Sequence, residues 1–453
     1  MPFAGPRRKI APYDVPQHPG AAASADALAR HSAEKAASLN QHVLGYGELV
    51  ESEWAARGLA APDLDALRRY RLERVRDQVR RLDVAGVLVY DPVNIRYATD
   101  STDMQVWCLH NPVRYAWVGA NGAVVLWDFH NCEHLSGHLH LIDEVRHAQS
   151  WYFFGNGGRV GEMAARWAAE VADVVRAGGR SGRTRIAVDR LDPVGLEALS
   201  RLGIEVVDGA EPMELARCVK SPDEVLAIRR SVAACEAAVE AMAAGLRPGL
   251  TETDLWSILH AENIRRGGEW IETRLLSSGP RTNPWFQECS ARVIESGDLV
   301  AFDTDLVGPY GYCTDFSRTW LVGDADPTAE QRRLYRMARD QVEENLALLR
   351  PGLSFREFVE SARTLPADCL PNRYSVLAHG VGLCDEYPSL PYVEDWEVAG
   401  YDGTLEVGMT LSVESYAGQL GGHEGVKLEE QVLLTETGAE LISTFPHDAA
   451  LSG

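Results

Sequence analysis

The chain has 453 residues, 45% hydrophobic and 24% charged, the balance of a soluble globular protein long enough for two or three domains. Its formal net charge of −22 argues against nucleic acid and anionic membrane surfaces as partners and favours cationic species near the surface. No apolar run approaches the ~20 residues that cross a bilayer, eight cysteines show no C-x-x-C pair, and the basic amino terminus lacks a following apolar segment, so reduced thiols and a cytoplasmic location are expected.

In chain order, residues 1–60 are Pro- and Ala-rich with a helical stretch around 25–43, expected to form an extension packed on the surface or on a partner subunit. Residues 62–82 have the apolar spacing of an amphipathic, arginine-dense surface helix. AGVLVY predicts a short buried strand, and AWVGANGAVVLWDF two strands about a turn at Asn121-Gly122, with Trp117 a core residue. RIAVD (185–189) and GIEVVDG (203–209) predict further strands around the helix PVGLEALSRL, making 61–215 a small α/β domain.

From 216 to 453 the pattern changes. Ser221-Pro222-Asp223-Glu224 starts a long helix, Pro248-Gly249 breaks it, and Thr251 starts a second. Strands at 298–303 and 311–320, a helix closed by Arg350-Pro351-Gly352, the helical FREFVESART, and strands at 409–416 and 426–434 follow. Two helix pairs, each before a strand group, suggest an internal pseudo-twofold and an overall α+β class.

The chemistry is concentrated in four apolar, β-rich runs: VAFDTDLVGPYGYCTDFSRT, LAHGVGL, LEVGMTLSVES and VKLEEQVLLT. They deliver Asp303, Asp305, Asp315, His379, Glu414 and Glu429. Carboxylates gathered with one imidazole suit divalent cations, and bridging carboxylates suit a metal pair. Any lone Asp is more often a turn cap or ion-pair partner, and any lone His more often structural. Asp303 and Asp305, two apart on a strand, are expected to share a face. Glu414 is expected to end its strand. Alternation favours Glu429 over Glu430 as the inward carboxylate.

The order Asp, Asp, His, Glu, Glu resembles the pita-bread metallopeptidase superfamily of methionine aminopeptidases, prolidases, aminopeptidase P and creatinases. ARCVKSPDEVLAIRRS (216–231) is similar to its domain junction, and DPVNIRYAT (91–99) to its creatinase-like amino-terminal domain. The resemblance implies a pita-bread catalytic domain at 216–453 behind the smaller α/β domain, with Asp303, Asp305, Asp315, His379, Glu414 and Glu429 holding metal. Two histidines that handle substrate in the peptidases are missing. SGPRTNPWFQECS (278–290) places Trp285 and Phe286 at one of those positions, and HGVGLCDEYP places Asp385 at the other.

With these departures the chain more closely resembles the metal-dependent dimethylsulfoniopropionate (DMSP) lyases of the DddP type, through NIRYATDSTDMQVW, HAENIRRGGEWIETRLLSSGPRTNPWFQE and HGVGLCDEYP. That likeness implies β-elimination of a small zwitterion to dimethyl sulfide and acrylate. Asp385 would be the general base, Tyr374 would position substrate or assist proton transfer, and Trp107 and Trp285 would hold the sulfonium by cation–π attraction. It also implies two metal ions, iron favoured over manganese, cobalt or zinc, and a homodimer. The alternatives are an Xaa-Pro aminopeptidase or prolidase-like hydrolase, which the missing histidines disfavour, and a metal-binding interaction protein without catalysis, which the full ligand set disfavours. Arg281 suits a substrate carboxylate but more simply a loop ion pair.

Overall fold

The computed structural model describes Lys9–Ile10 and residues 44–130, 132–178 and 184–453. The expected helix around 25–43 lies outside them. The described chain divides into two units, one built on Asp63–Arg217, the other on Tyr46–Pro62 and Cys218–Gly453. Residues 46–60, read from sequence as part of the extension, and 61–62, read as the start of the α/β domain, thus belong with the second unit. The reason is Trp54, fully buried against Ala233 and Ala234, with its indole N–H donating to the Arg230 carbonyl at 2.8 Å.

The first unit is a seven-stranded mixed sheet. Gly86–Val89 runs antiparallel to Tyr115–Gly119, which runs antiparallel to Val124–Asp128. On its other side Gly86–Val89 pairs parallel with Arg185–Val188, which pairs parallel with Glu205–Asp208. The helix Val160–Gly178 lays Trp167, Ala168 and Val171 on the same core as Trp117 and Trp127. DPVNIRYAT is the helix Pro92–Thr99, started by Asp91, whose side chain accepts from the Val93 N–H at 2.8 Å. Within this core Arg114 meets Asp128 at 2.9 and 3.1 Å, both side chains at most 1% exposed.

The second unit repeats one device. The helices Pro222–Gly245, Glu252–Arg265, Ala329–Leu348 and Phe355–Ser361 each begin with a reciprocal capping box: Ser221/Glu224, Thr251/Asp254, Thr328/Gln331 and Ser354/Glu357. The second helix of each pair is entered through the same phrase, Leu-Arg-Pro-Gly-Leu followed by a hydroxyl residue, at 246–251 and 349–354. Its glycines, Gly249 and Gly352, take left-handed φ of 94° and 82°, which glycine adopts without the Cβ penalty. The first pair precedes Leu276–Ser278, Leu299–Asp303 and Ser317–Leu321, an antiparallel three-stranded sheet. The second precedes a five-stranded sheet ordered Asp385–Leu390, Ala378–Val381, Thr410–Gly418, Gly425–Thr435, Gly438–Leu441. The expected helix-pair, strand-group repeat is therefore present.

The Arg114–Asp128 pair makes the first unit's core sensitive to one atom's charge. Asp128→Asn leaves a guanidinium buried without its counter-ion, so the expected loss is about 3–5 kcal/mol. Chemical denaturation followed by tryptophan fluorescence measures it.

Candidate metal centre

Asp303, His379, Glu414 and Glu429 reach the site from strands, where backbone pairing fixes their arrival, and Asp305 and Asp315 reach it from the segments between strands. Glu414 and Glu429 are directly opposite residues of Thr410–Gly418 and Gly425–Thr435. His379 lies next door, its backbone opposite Ser412. Asp303 is the last residue of Leu299–Asp303 and faces Ser317. Two expectations need correction. Glu414 does not end its strand but sits in its middle, flanked on both sides by buried residues. Asp303 and Asp305 do not share a continuous strand face. The strand stops at Asp303, and Asp305 takes a left-handed φ of 38°. That bend, with a 2.5 Å hydrogen bond from the Thr273 hydroxyl to Asp305 Oδ2, turns the carboxylate toward its neighbours.

The groups converge. Asp303, Asp305 and Asp315 offer ligand atoms within 4.8 Å of one another, as do His379, Glu414 and Glu429, and as do Asp315, His379 and Asp385, with a ring nitrogen from the histidine and oxygens from the carboxylates. His379 Nε2 lies 3.2 Å from Asp315 Oδ2 and 3.5 Å from Oε1 of both Glu414 and Glu429. Its Nδ1 sits 3.0 Å from the Gly380 carbonyl, which accepts a hydrogen bond and orients the ring, so that Nε2 is the nitrogen turned to the carboxylates. Asp303, Asp315, Glu414 and Glu429 are at most 2% exposed.

At the centre stands Lys427, fully buried. Its ammonium is 2.8 Å from Glu414 and Glu429, 3.0 Å from Asp303 and 2.8 Å from the Ser317 hydroxyl. That hydroxyl also lies within hydrogen-bond distance of Asp303 Oδ1 and Glu429 Oε2. Lys427 lies two residues before Glu429 and so shares its face of the strand, but it carries no role in the sequence analysis. The signal was there, a lysine between Val426 and Leu428 and two residues before a ligand-type glutamate.

Burial, then mutual repulsion, pushes the carboxyls of Asp305 and Asp315 well above the ordinary range. Burial also raises Glu414, with Lys427 opposing and Glu429 adding. Asp303 is pushed up to about 6 by burial and Glu429. Burial acts on Glu429 too, but Lys427 and His379 outweigh it and hold that carboxyl below the usual range. Asp315 Oδ1, Glu414 Oε1 and Glu429 Oε1 are buried with no hydrogen bond. Acceptors of this kind, turned inward around one imidazole nitrogen, fit a divalent cation.

Asp385 differs from the rest. Its side chain is 54% exposed, with Oδ1 3.8 Å from His379 Nδ1. The next residue, Glu386, points the other way and pairs with buried Lys220, so the junction lysine anchors the strand that presents Asp385. Tyr374 lies beside Lys427, whose ammonium is 4.6 Å from its ring centroid. Trp285 is 6% exposed, 6.0 Å from the same ammonium, and stacked on Tyr416 at 5.9 Å. Trp107 belongs to the first unit and packs on Phe129 with ring centroids 5.5 Å apart. Arg281 pairs with Glu252, the loop ion pair, and Glu430 turns to Arg318 at 2.8 Å.

Lys427→Met removes the cation shared by three carboxylates. The metal-free protein is expected to lose about 3–5 kcal/mol, read as a drop in melting temperature in chelator, while Lys427→Arg loses less.

A family model, metallopeptidase family M24, matches residues 227–436. The dimethylsulfoniopropionate lyase DddP of Roseovarius nubinhibens is 45% identical over 419 residues, 91% of this chain and 94% of that one. Its counterpart from Roseobacter denitrificans is 44% identical over 92% of this chain and 94% of that one. Among solved structures, an Xaa-Pro dipeptidase from Bacillus anthracis superposes with a TM-score of 0.68 at 21% identity, over 83% of this chain and 98% of that one. A prolidase from Pyrococcus horikoshii gives 0.67 at 19%, over 83% and 99%. These structural likenesses establish the pita-bread fold, and the sequence identity with its coverage goes further: the chain belongs to the DddP family of dimethylsulfoniopropionate lyases, within the M24 superfamily.

Proposed function

We propose that this protein cleaves dimethylsulfoniopropionate to dimethyl sulfide and acrylate, with Asp385 as general base beside a two-metal cluster. The observation that carries the reading is the contrast within the site. Five carboxylates are sequestered, and a sixth, Asp385, half-exposed, stands where the peptidases place a histidine.

Charge supports the metal count. Asp303, Asp305, Asp315, Glu414 and Glu429 bring five negative charges, and Lys427 one positive. Beside a neutral His379, two divalent cations balance the remainder. Asp303, Asp305, Asp315, His379, Glu414 and Glu429 would hold them, and bound there they would supply Lewis-acid stabilisation of the charge that develops on the substrate carboxylate. Iron is favoured by the resemblance to the family; carboxylate-rich sites also admit manganese, cobalt and zinc.

The chain's own groups account for the rest. Asp385 takes the proton from the carbon next to the carboxylate. The C–H electrons form the new C=C bond, and the C–S electrons leave with sulfur as neutral dimethyl sulfide. Partial burial raises the Asp385 carboxyl above its ordinary value, with His379 opposing and Glu429 adding, which makes it a better base than a fully solvated Asp. Tyr374 is suited to donating. Burial and Glu414 hold its phenol well above its usual range, so it stays protonated and positions substrate through its O–H. Trp107 as a contact for the substrate, a homodimer and a cytoplasmic location complete the proposal.

Purified metal-replete protein incubated with the substrate is expected to release dimethyl sulfide, measured by gas chromatography. Cleavage of Xaa-Pro dipeptides without such release would establish the hydrolase instead. Asp385→Asn is expected to lower turnover by at least ~10²–10⁴-fold with metal content nearly unchanged, whereas Asp305→Ala loses metal and activity together. Because the base must be ionised, kcat/KM should fall as pH drops through a pKa above 3.8 and persist above it; an acid limb at or below 3.8 counts against Asp385. Light scattering at micromolar concentration tests the homodimer, and Trp107→Leu, expected to raise KM, tests the aromatic contribution.

A further inference from the structure

Resting on the lyase reading, we infer that Phe286, and not the better-buried aromatics around it, is the residue that recognises the cationic sulfonium end of the substrate and separates it from uncharged molecules of the same shape. Phe286 is 55% exposed and takes a left-handed φ of 72°. A bulky side chain rarely adopts that backbone, and such outliers gather at ligand-binding positions. Its ring stacks on Tyr374, centroids 5.0 Å apart and planes 27° apart. Tyr374 in turn lies 4.6 Å from the Lys427 ammonium, which contacts Glu414 and Glu429. An aromatic path thus runs from solvent to the cluster, with Phe286 at its outer end.

The alternatives along that path are occupied. Trp285 is 6% exposed, and its ring stacks on Tyr416 and lies 6.0 Å from the resident ammonium. Tyr374 already carries both Phe286 and Lys427. A second cation placed against either ring meets the like charge of Lys427, unscreened by water. Phe286 is one ring further out and is open to solvent. In the proposed reading the carboxylate end of the substrate lies in the cluster and its sulfonium end against this ring. The face of a phenyl ring attracts an onium group and gains much less from an isosteric alkyl group.

The test compares the sulfonium substrate with 4-methylpentanoate, in which a neutral CH replaces the sulfur, as a competitive inhibitor. Phe286→Leu keeps apolar bulk and removes the π face. It is expected to raise KM for dimethylsulfoniopropionate by about 3–30-fold, leave kcat within about twofold, and leave the inhibition constant of 4-methylpentanoate unchanged. Phe286→Trp, which keeps a π face, is expected to bring KM back to within about threefold of wild type, and this also guards against a folding defect in the Leu variant. Equal losses for sulfonium and neutral ligand in Phe286→Leu, or no change in either, overturn the inference while leaving the lyase reading intact. Failure of the wild type to turn over dimethylsulfoniopropionate overturns both.

Discussion

The second unit is organised around a concentration of negative charge that its own interior cannot tolerate alone. Glu414 and Glu429 are facing residues of two central strands, and like charges directly opposite destabilise a sheet. The chain places one ammonium, Lys427, in contact with both and with Asp303. This lysine comes from the same strand as Glu429, two residues earlier, so the pleat that turns the ligand inward turns its counter-ion inward too. One cation against five carboxylates offsets only part of the charge. The remainder is what makes the site a binding site, since a cluster neutralised by the protein itself would have little affinity left for metal.

The architecture serves that constraint. Carboxylates held on strands are fixed by backbone pairing on either side and cannot relax apart. The three-stranded sheet delivers Asp303, with Asp305 and Asp315 from the segments that follow it, and the five-stranded sheet delivers His379, Glu414 and Glu429. Ser317 bridges the two sheets by touching Asp303 and Glu429 at once. The repeated capping boxes and the repeated Leu-Arg-Pro-Gly-Leu phrase belong to the scaffold of this arrangement, setting where each helix pair begins.

Much of this was legible because local chemistry and global structure agree. Ser221-Pro-Asp-Glu and Thr251-Glu-Thr-Asp announce helices through their caps, and alternation separates Glu429 from Glu430, which turns to Arg318. The helix Val160–Gly178 was readable yet went unassigned, although Met163, Ala164, Trp167, Ala168, Val171, Ala172 and Val175 keep a helical spacing and are all buried. The bend at Asp305 was not readable. Nothing in Asp-Thr-Asp distinguishes a continued strand from one that breaks after Asp303, because the left-handed φ there is imposed by tertiary partners such as Thr273. The burial of Trp54 was hidden for a related reason: its partners, Ala233, Ala234 and Arg230, lie far along the chain.

The difference between a peptidase and an elimination site then reduces to what faces the open side of the cluster. A hydrolase must hold a peptide and a tetrahedral intermediate, work for which the missing histidines were suited. Here that side presents a carboxylate, Asp385, and an aromatic stack, Tyr374 with Phe286. A carboxylate accepts a proton but, once ionised, has none to donate to an oxyanion. A phenyl ring such as that of Phe286 attracts a cation but offers no hydrogen bond to a peptide carbonyl. In the proposed lyase the same strands and metal-type ligands would support different chemistry through replacements at two positions, and the ion pair of Glu386 with Lys220 fixes the strand by its buried residue while Asp385 beside it stays exposed.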